Sequence, residues 1–451
     1  MSDRGSNLEG RPETVANSWR FAILLARFVL SALQQGMLKS LGLLMPYLVI
    51  RLDSSYETIG LIFAMEYAVF LMTSPFVHLL SRRFEPRALS IIGAILSSMC
   101  IMLSSAVWSV WIIGVLFIAA GALSSPVYQT TAVLLHQYFN EKYAAANALG
   151  STGAQAGGIV LPLVTSYLLI AYDVDGALLC LGAISLHFVV VAALLRPNVG
   201  LPRFGEETSG YGECTVSLSL GSSDKNTPKQ GAAANLGCKV ERCIRWLGEV
   251  TDLKTVLAEK LYCLLILPSL FLHQITFIGW VLFMVPCVTS YGITPTQAAY
   301  FPLAGSCGGL VGRIACGAIL YFRPKWGKRS LVTGLSISSF SLLSFAFLQS
   351  RSLKLISTLF AGFGLYATFS SFYAVLHNSV AKENFSGILS VMSFVRGIGV
   401  AIGSYLTGLI FEITGSFAVA FKVLAFLDTA IIILIALFTI LQKRNQASSH
   451  A

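Results

Sequence analysis

Acidic side chains are almost missing from the apolar parts of this sequence. Glu66 and Asp428 are the two that lie deep within apolar runs, against four cations: Arg27, Lys39, Arg313 and Arg396. Charge of either sign is sparse overall. Asp, Glu, Lys and Arg make up 12% of the 451 residues, 55% are hydrophobic, and mean hydropathy is +0.74. A soluble chain cannot cover so much apolar surface, so the balance excludes a soluble globular protein and implies a polytopic membrane protein. The net charge of +10 does not argue for nucleic acid, because the excess lies mostly in the connections between apolar runs, where it sets topology.

Other absences narrow the chemistry. The nine cysteines form no CxxC pair and no Cys/His ligand spacing, which speaks against a disulfide framework and a zinc site. There is no Walker loop, nucleophile elbow or HExxH, so neither an enzyme nor a bound cofactor is expected. The start is polar up to Ser18 and shows no cleavable signal peptide, so the first span is expected to act as its own insertion signal.

What is present is a series of apolar runs. A membrane span needs about 20 mostly apolar residues. That window predicts six spans over 20–50, 58–80, 88–106, 110–135, 144–171 and 176–195, and six more over 261–288, 297–321, 331–349, 354–378, 386–411 and 418–441. Alternate connections are crowded with basic residues, among them Arg82, Arg83, Arg87, Lys142, Arg323, Lys325, Lys328 and Arg329. The other connections hold only Arg51, Arg351, Lys354 and Lys422. By the positive-inside rule both termini are cytosolic. The sequon at Asn384-Phe385-Ser386 then falls on the inner side and is discounted.

The expected organisation is a cytosolic tail (1–19), a six-helix half (20–197), a cytosolic loop (198–258), a second six-helix half (259–441) and a short cytosolic tail (442–451). The loop is rich in Gly and Ser at first, which predicts disorder. Its later part, Lys239–Leu257, places Val240, Ile244, Leu247, Val250 and Leu257 near one helical face. That pattern suits either an amphipathic helix on the membrane surface or an extension of span seven. The halves repeat weakly: HLLSRRFEPRAL (His78–Leu89) follows span two, and LYFRPKWGKRSL (Leu320–Leu331) follows span eight. Repeated six-span halves joined by a long inside loop are the layout of the major facilitator superfamily, an all-α membrane fold of twelve helices.

Within that layout the chain resembles the monocarboxylate transporter family. The stretches that carry the resemblance are YFNEKYAAANALGSTGAQAGG (Tyr138–Gly158), the ALLRP exit from span six, GGLVGRIACG (Gly308–Gly317), and ENFSG, FVRGIGVAIG and EITGSFAVAF in and after span eleven. Three departures stand out. The family's first-span signature is reduced to ANSWRF (Ala16–Phe21). Gly309 stands where the family often has an Asp, four residues before its span-eight Arg. Gly403-Ser404-Tyr405 replaces the family's GPP.

The resemblance assigns roles to individual residues. Lys39, in GMLKSLG, matches a lysine associated with anion and proton binding; the plainer alternative is a lysine snorkelling to the outer interface. Arg313 matches the substrate-anchoring arginine, and a guanidinium suits that task because it grips a carboxylate bidentately and stays charged. The family's substrate-size determinants lie in span ten, where Leu365, Tyr366, Phe369, Ser370 and Tyr373 form one helical stretch, and Leu365, Phe369 and Ser370 are its substrate-binding candidates. Arg396 is expected to brace span eleven or to act at a gate, and Arg27 to anchor span one at the inner surface. Glu66 is a candidate proton site, or a structural partner for Arg27 or Lys39. His273 and His377 read as structural. Gly150, Gly153, Gly157 and Gly158 read as packing elements that take no ligand.

The implied function is transport of small monocarboxylates or related organic solutes by alternating access, with Lys39 and Arg313 meeting the solute from opposite halves. Without an acid at Gly309, proton coupling is expected to be weak or absent. The implied partners are a small organic anion, membrane lipid and a single-span immunoglobulin-type ancillary glycoprotein, in the plasma membrane. Two rivals remain at this level: a facilitator for neutral or zwitterionic solutes such as aromatic amino acids, and a non-transporting membrane scaffold or sensor.

Overall fold

The computed structural model describes residues 12–196, 259–293, 295–298 and 300–448, and every regular element among them is helical. The segment 198–258, including the surface helix expected over Lys239–Leu257, lies outside the described residues. Span one is α1 (Pro12–Arg51). Span two is α2 (Tyr56–Met72) followed by α3 (Ser74–Arg83), bent by 40°. Pro75, in the first turn of α3, has no N–H to continue the ladder, and this accounts for the bend. Spans three and four are α4 (Pro86–Ser104) and α5 (Val110–Phe139).

The stretch Val110–Leu194 is apolar and helical over 85 residues. As one rod it would be roughly 130 Å long, about four times the hydrocarbon core. Two residues with positive φ divide it into three spans: Asn140 at φ 40° and Asp173 at φ 55°. Span five is therefore α6 (Tyr143–Gly150) with the first part of α7 (Gly153–Ser185), and span six is the rest of α7 with α8 (His187–Leu194). The second half comprises α9 (Lys260–Ser290), the short α10 (Pro295–Ala298), α11 (Tyr300–Phe322), α12 (Gly327–Phe347), α13 (Arg351–Ser379), α14 (Phe385–Thr414) and α15 (Phe417–Ser448). All twelve expected spans are thus present among the described residues.

The helix pairing repeats between the halves. Span one packs on span five as seven packs on eleven, two on four as eight on ten, and three on six as nine on twelve. The halves then meet through α2 against α14, and through α6 and α7 against α11. Glycines let the closest pairs touch backbone to backbone. An ideal Cβ on Gly157 would lie 1.9 Å from the Ala32 carbonyl oxygen, and one on Gly308 would lie 1.8 Å from that of Leu359.

Both expected basic turns, α3–α4 and α11–α12, are turns at one end of the bundle. The halves also touch at this end. Lys142 donates to the Tyr321 hydroxyl at 3.3 Å, His136 stacks on Phe385 at 3.6 Å, and Tyr143 meets Phe385 edge-on at 5.2 Å. His377 belongs to the same ring cluster, 5.2 Å from His136.

Candidate solute-binding site

A cavity lies between the halves, lined by α1, α2, α5, α6 and α7 on one side and by α9, α11, α13 and α14 on the other. Three arginines line it: Arg27, Arg313 and Arg396. None of the described residues lining it is acidic.

Arg313 is the central one. Its Nη1 donates to the backbone carbonyl of Ser151 in the opposite half, and its guanidinium lies 5.1 Å from the centre of the Tyr366 ring. Its Nε has no hydrogen-bond partner among the described residues. Ser151 sits in the break between α6 and α7, where the chain leaves one helix before entering the next. Arg396 is more fully engaged. Nε donates to Gln274 at 3.3 Å, and Nη1 donates to the Tyr373 and Tyr128 hydroxyls at 3.1 and 3.3 Å. Those two hydroxyls are 2.7 Å apart and join the halves. Arg396 therefore braces the structure and faces the cavity at once.

Arg27 overturns its expected place. It is not a surface anchor: it is 2% exposed and lies over the Tyr128 ring at 4.7 Å. Its position a few residues inside the predicted span 20–50 suggested the interface, but the phase of α1 turns it inward. Gly150 leaves the room, since an ideal Cβ there would lie 2.6 Å from Arg27 Cγ. Gly158 does the same for Lys39, whose Nζ would be 3.1 Å from such a Cβ. Of the four span-five glycines, then, Gly153 and Gly157 serve helix contact, while Gly150 and Gly158 make space for cations.

Lys39 is half-buried and donates to the Ser306 hydroxyl at 2.6 Å, again across the halves. It does not line the cavity. Ser306 precedes Arg313 by two turns of α11, about 10 Å along the axis. The structure therefore does not bring Lys39 and Arg313 to one level.

On α13, Tyr366, Phe369, Ser370 and Tyr373 line the cavity. Their spacing of three, four and seven residues defines one helical face. Leu365 does not line it. One residue turns the helix by about 100°, which places Leu365 in the apolar core behind, at 0% exposure.

Glu66 borders a separate pocket inside the first half, which shares Gln34, Tyr67 and Phe70 with the central cavity. It makes no ion pair or hydrogen bond among the described residues, so it partners neither Arg27 nor Lys39. His273 and Asp428, which look isolated in the sequence, are 3.5 Å apart and both fully buried. The Ser338 hydroxyl donates to the other Asp428 oxygen, and the Phe369 ring packs on His273 at 4.6 Å. Sequence reasoning missed Tyr128, Asn147 and Gln274 as parts of the site. Their only signal was polarity within an apolar run, which many membrane helices show.

The sequence matches the family model described as Major Facilitator Superfamily over residues 21–350. The chain belongs to that superfamily, a class of membrane transporters. Within it the sequence is similar to several monocarboxylate transporters. It is 25% identical over 417 residues to monocarboxylate transporter 13 of Rattus norvegicus, covering 92% of this chain and 87% of that one. It is 24% identical to human monocarboxylate transporter 6 over 96% of this chain and 83% of that one, and 31% identical to mouse monocarboxylate transporter 11 over 40% of each. Among solved structures, a crystal structure of the E. coli fucose:proton symporter matches over 93% of this chain and 98% of that one, with a TM-score of 0.62 at 15% identity. A second crystal structure, of FucP in an outward conformation, gives 0.64. These two likenesses show the fold.

Gly309 has a steric counterpart in this site. An ideal Cβ there would lie 2.3 Å from Tyr366 Cδ2, so the ring fills the volume an Asp would need. Gly309→Asp should lower stability by about 1–3 kcal/mol through overpacking. Tyr366→Ala should relieve much of that loss, giving a clear coupling in a double-mutant cycle of thermal unfolding. Additive effects would show that the ring does not fill the place of the acid.

Proposed function

We propose that this protein carries small organic anions across the membrane by alternating access, with monocarboxylates as the starting solute class. The observation that carries this is the set of three guanidinium groups around one inter-half cavity with no acid among the described residues that line it. A cation in a membrane helix costs about 2.5–3.5 kcal/mol on insertion scales. An arriving carboxylate offsets that cost, and hydrogen bonds of opposite charge are about twice as strong as neutral ones. Arg313 is the anchor in this proposal. Its present partners are a neutral carbonyl and an aromatic face, both of which a carboxylate outcompetes. Phe369 and Ser370 shape the wall beside it. Lys39, two turns away, acts as a way-station for the anion, and Leu365 serves only to support Phe369 from behind.

The aromatic lining (Phe70, Phe277, Tyr366 and Phe369) favours a second reading, an aromatic zwitterionic solute. Its ammonium group would find no carboxylate in the cavity, and this ranks it below the anion.

In this proposal residues 20–197 and 259–441 are the rocking halves. The basic end, bridged by His136, Tyr143, His377 and Phe385, is the cytosolic gate. Segment 198–258 and both termini are cytosolic, and the protein resides in the plasma membrane.

Arg313→Lys keeps the charge and loses the fork. It should cut uptake about ten- to a hundred-fold, the equivalent of roughly 1.5–3 kcal/mol for a charged hydrogen bond, with surface delivery unchanged. Wild-type uptake by this variant would remove Arg313 from the substrate site. For orientation, a tag inserted near Ser223 should be labelled only after the membrane is permeabilised; labelling of intact cells would reverse the topology. For coupling, an inward proton gradient should change uptake little, because the cavity offers no carboxylate to titrate. Glu66 is the fallback proton site. If gradient-driven accumulation is measured, Glu66→Gln should abolish it and spare solute exchange. Accumulation that survives Glu66→Gln would defeat both statements.

A further inference from the structure

One carboxylate does not use the donors this cavity presents. Arg396 is committed to Gln274, Tyr128 and Tyr373. Arg27 lies over the Tyr128 ring and Arg313 bonds to the Ser151 carbonyl, and neither fork is filled. Nε and Nη1 of Arg27 and Nε of Arg313 have no hydrogen-bond partner among the described residues, although all three atoms are sealed from solvent. The two side chains approach adjacent residues of one helix break: Arg27 packs in the space at Gly150, and Arg313 bonds to the Ser151 carbonyl. Asn147, one turn earlier on α6, lines the same cavity, is 1% exposed, and has both amide atoms unpartnered.

The charge balance points the same way. Three guanidinium groups face one another in a medium of low dielectric, where like charges repel strongly. A monoanion leaves two positive charges uncompensated and one fork empty, whereas a solute with two separated carboxylates leaves one charge and fills both forks. We infer that the preferred solute is a short dicarboxylate, with one carboxylate on Arg313 and the other on Arg27, where Asn147 supplies a further amide donor. This rests on the anion-carrier reading above and adds a second anionic subsite, which Arg27 defines.

The test uses the purified full-length protein, at fixed ionic strength and above neutral pH so that both carboxylates are ionised. Binding is read from thermal stabilisation by four probes: butanoate, succinamate, succinate and sulfate. Succinate matches the first two in chain length and adds a charge, while sulfate puts both charges on one centre. Succinate should bind about ten-fold or more tightly than butanoate and succinamate, a difference of about 1.4 kcal/mol, and more tightly than sulfate. In Arg27→Gln the succinate-to-butanoate ratio should fall to near one. Arg27→Lys keeps the charge without the fork, so it should lower the ratio without abolishing it, and it carries the comparison if the Gln variant does not fold.

A ratio near one in the wild type, or a wild-type ratio in either Arg27 variant, would overturn the second subsite and leave the anion carrier standing. Sulfate binding equal to succinate would overturn the two-point dicarboxylate. Failure of all four probes to bind would overturn the anion-carrier reading along with the inference.

Discussion

The architecture depends on keeping positive charge inside a membrane without a carboxylate to neutralise it. Desolvated guanidinium groups are tolerated only where enough acceptors and ring faces surround them. Here the acceptors are neutral: the Ser151 carbonyl, the Gln274 amide, and the Tyr128 and Tyr373 hydroxyls. The faces are Tyr128, Tyr366 and Phe369. Neutral partners solvate a cation partly and leave its charge uncancelled. The resulting cavity stays positive.

The breaks in the helices supply that environment. At the break in span five the Ser151 carbonyl accepts from the Ala154 N–H at 3.1 Å and also from Arg313. The break at Gly150–Gly153 places that carbonyl within reach of Arg313, and the absent side chain at Gly150 admits the stem of Arg27. The same helix then needs Gly153 and Gly157 to lie close against α1, because an ideal Cβ at either would strike the α1 backbone at about 2 Å. One run of small residues thus sets two things at once: how near α1 lies to α7, and how deep its cations are buried.

Much of this was legible in the sequence. Twelve spans followed from hydropathy, and the two halves from the long polar gap and the repeated basic turns. Arg313 stood out because its surroundings, GGLVGRIACG, are small and could line a cavity. What was not legible depends on helix phase and on partners far away in the chain. Arg27 looked superficial because depth was judged by distance from the end of the apolar run, while its direction depends on how α1 is rotated against α6 and α7. Leu365 and Tyr366 are neighbours in sequence, yet one is core and the other cavity wall, since one step along a helix turns about 100°. His273 and Asp428 lie 155 positions apart, a pairing no local pattern encodes. The missing acid at Gly309 was visible, but its replacement by the Tyr366 ring was not, because the filling group comes from another helix.

Two sets of cross-half contacts bear on how a carrier of this fold would move. At the basic end the halves meet through ring contacts and one lysine–tyrosine contact. Aromatic pairs contribute about 0.5–1.5 kcal/mol each beyond burial, so such a closure is modest and reversible. Deeper in they meet through hydrogen bonds, Arg313 to Ser151 and Arg396 to Tyr128 from cations, and Tyr128 to Tyr373 and Gln129 to Ser390 between neutral groups. A solute shifts a conformational equilibrium only by its difference in affinity between the two states. An anion that takes Arg313 from Ser151 removes a bond that ties one half to the other and replaces it with one to a mobile solute. Binding and release of the halves would then be the same event at the same guanidinium. The basic-end contacts would need to be weak enough for that one exchange to decide which end opens, and stacked rings without a buried ion pair meet that requirement.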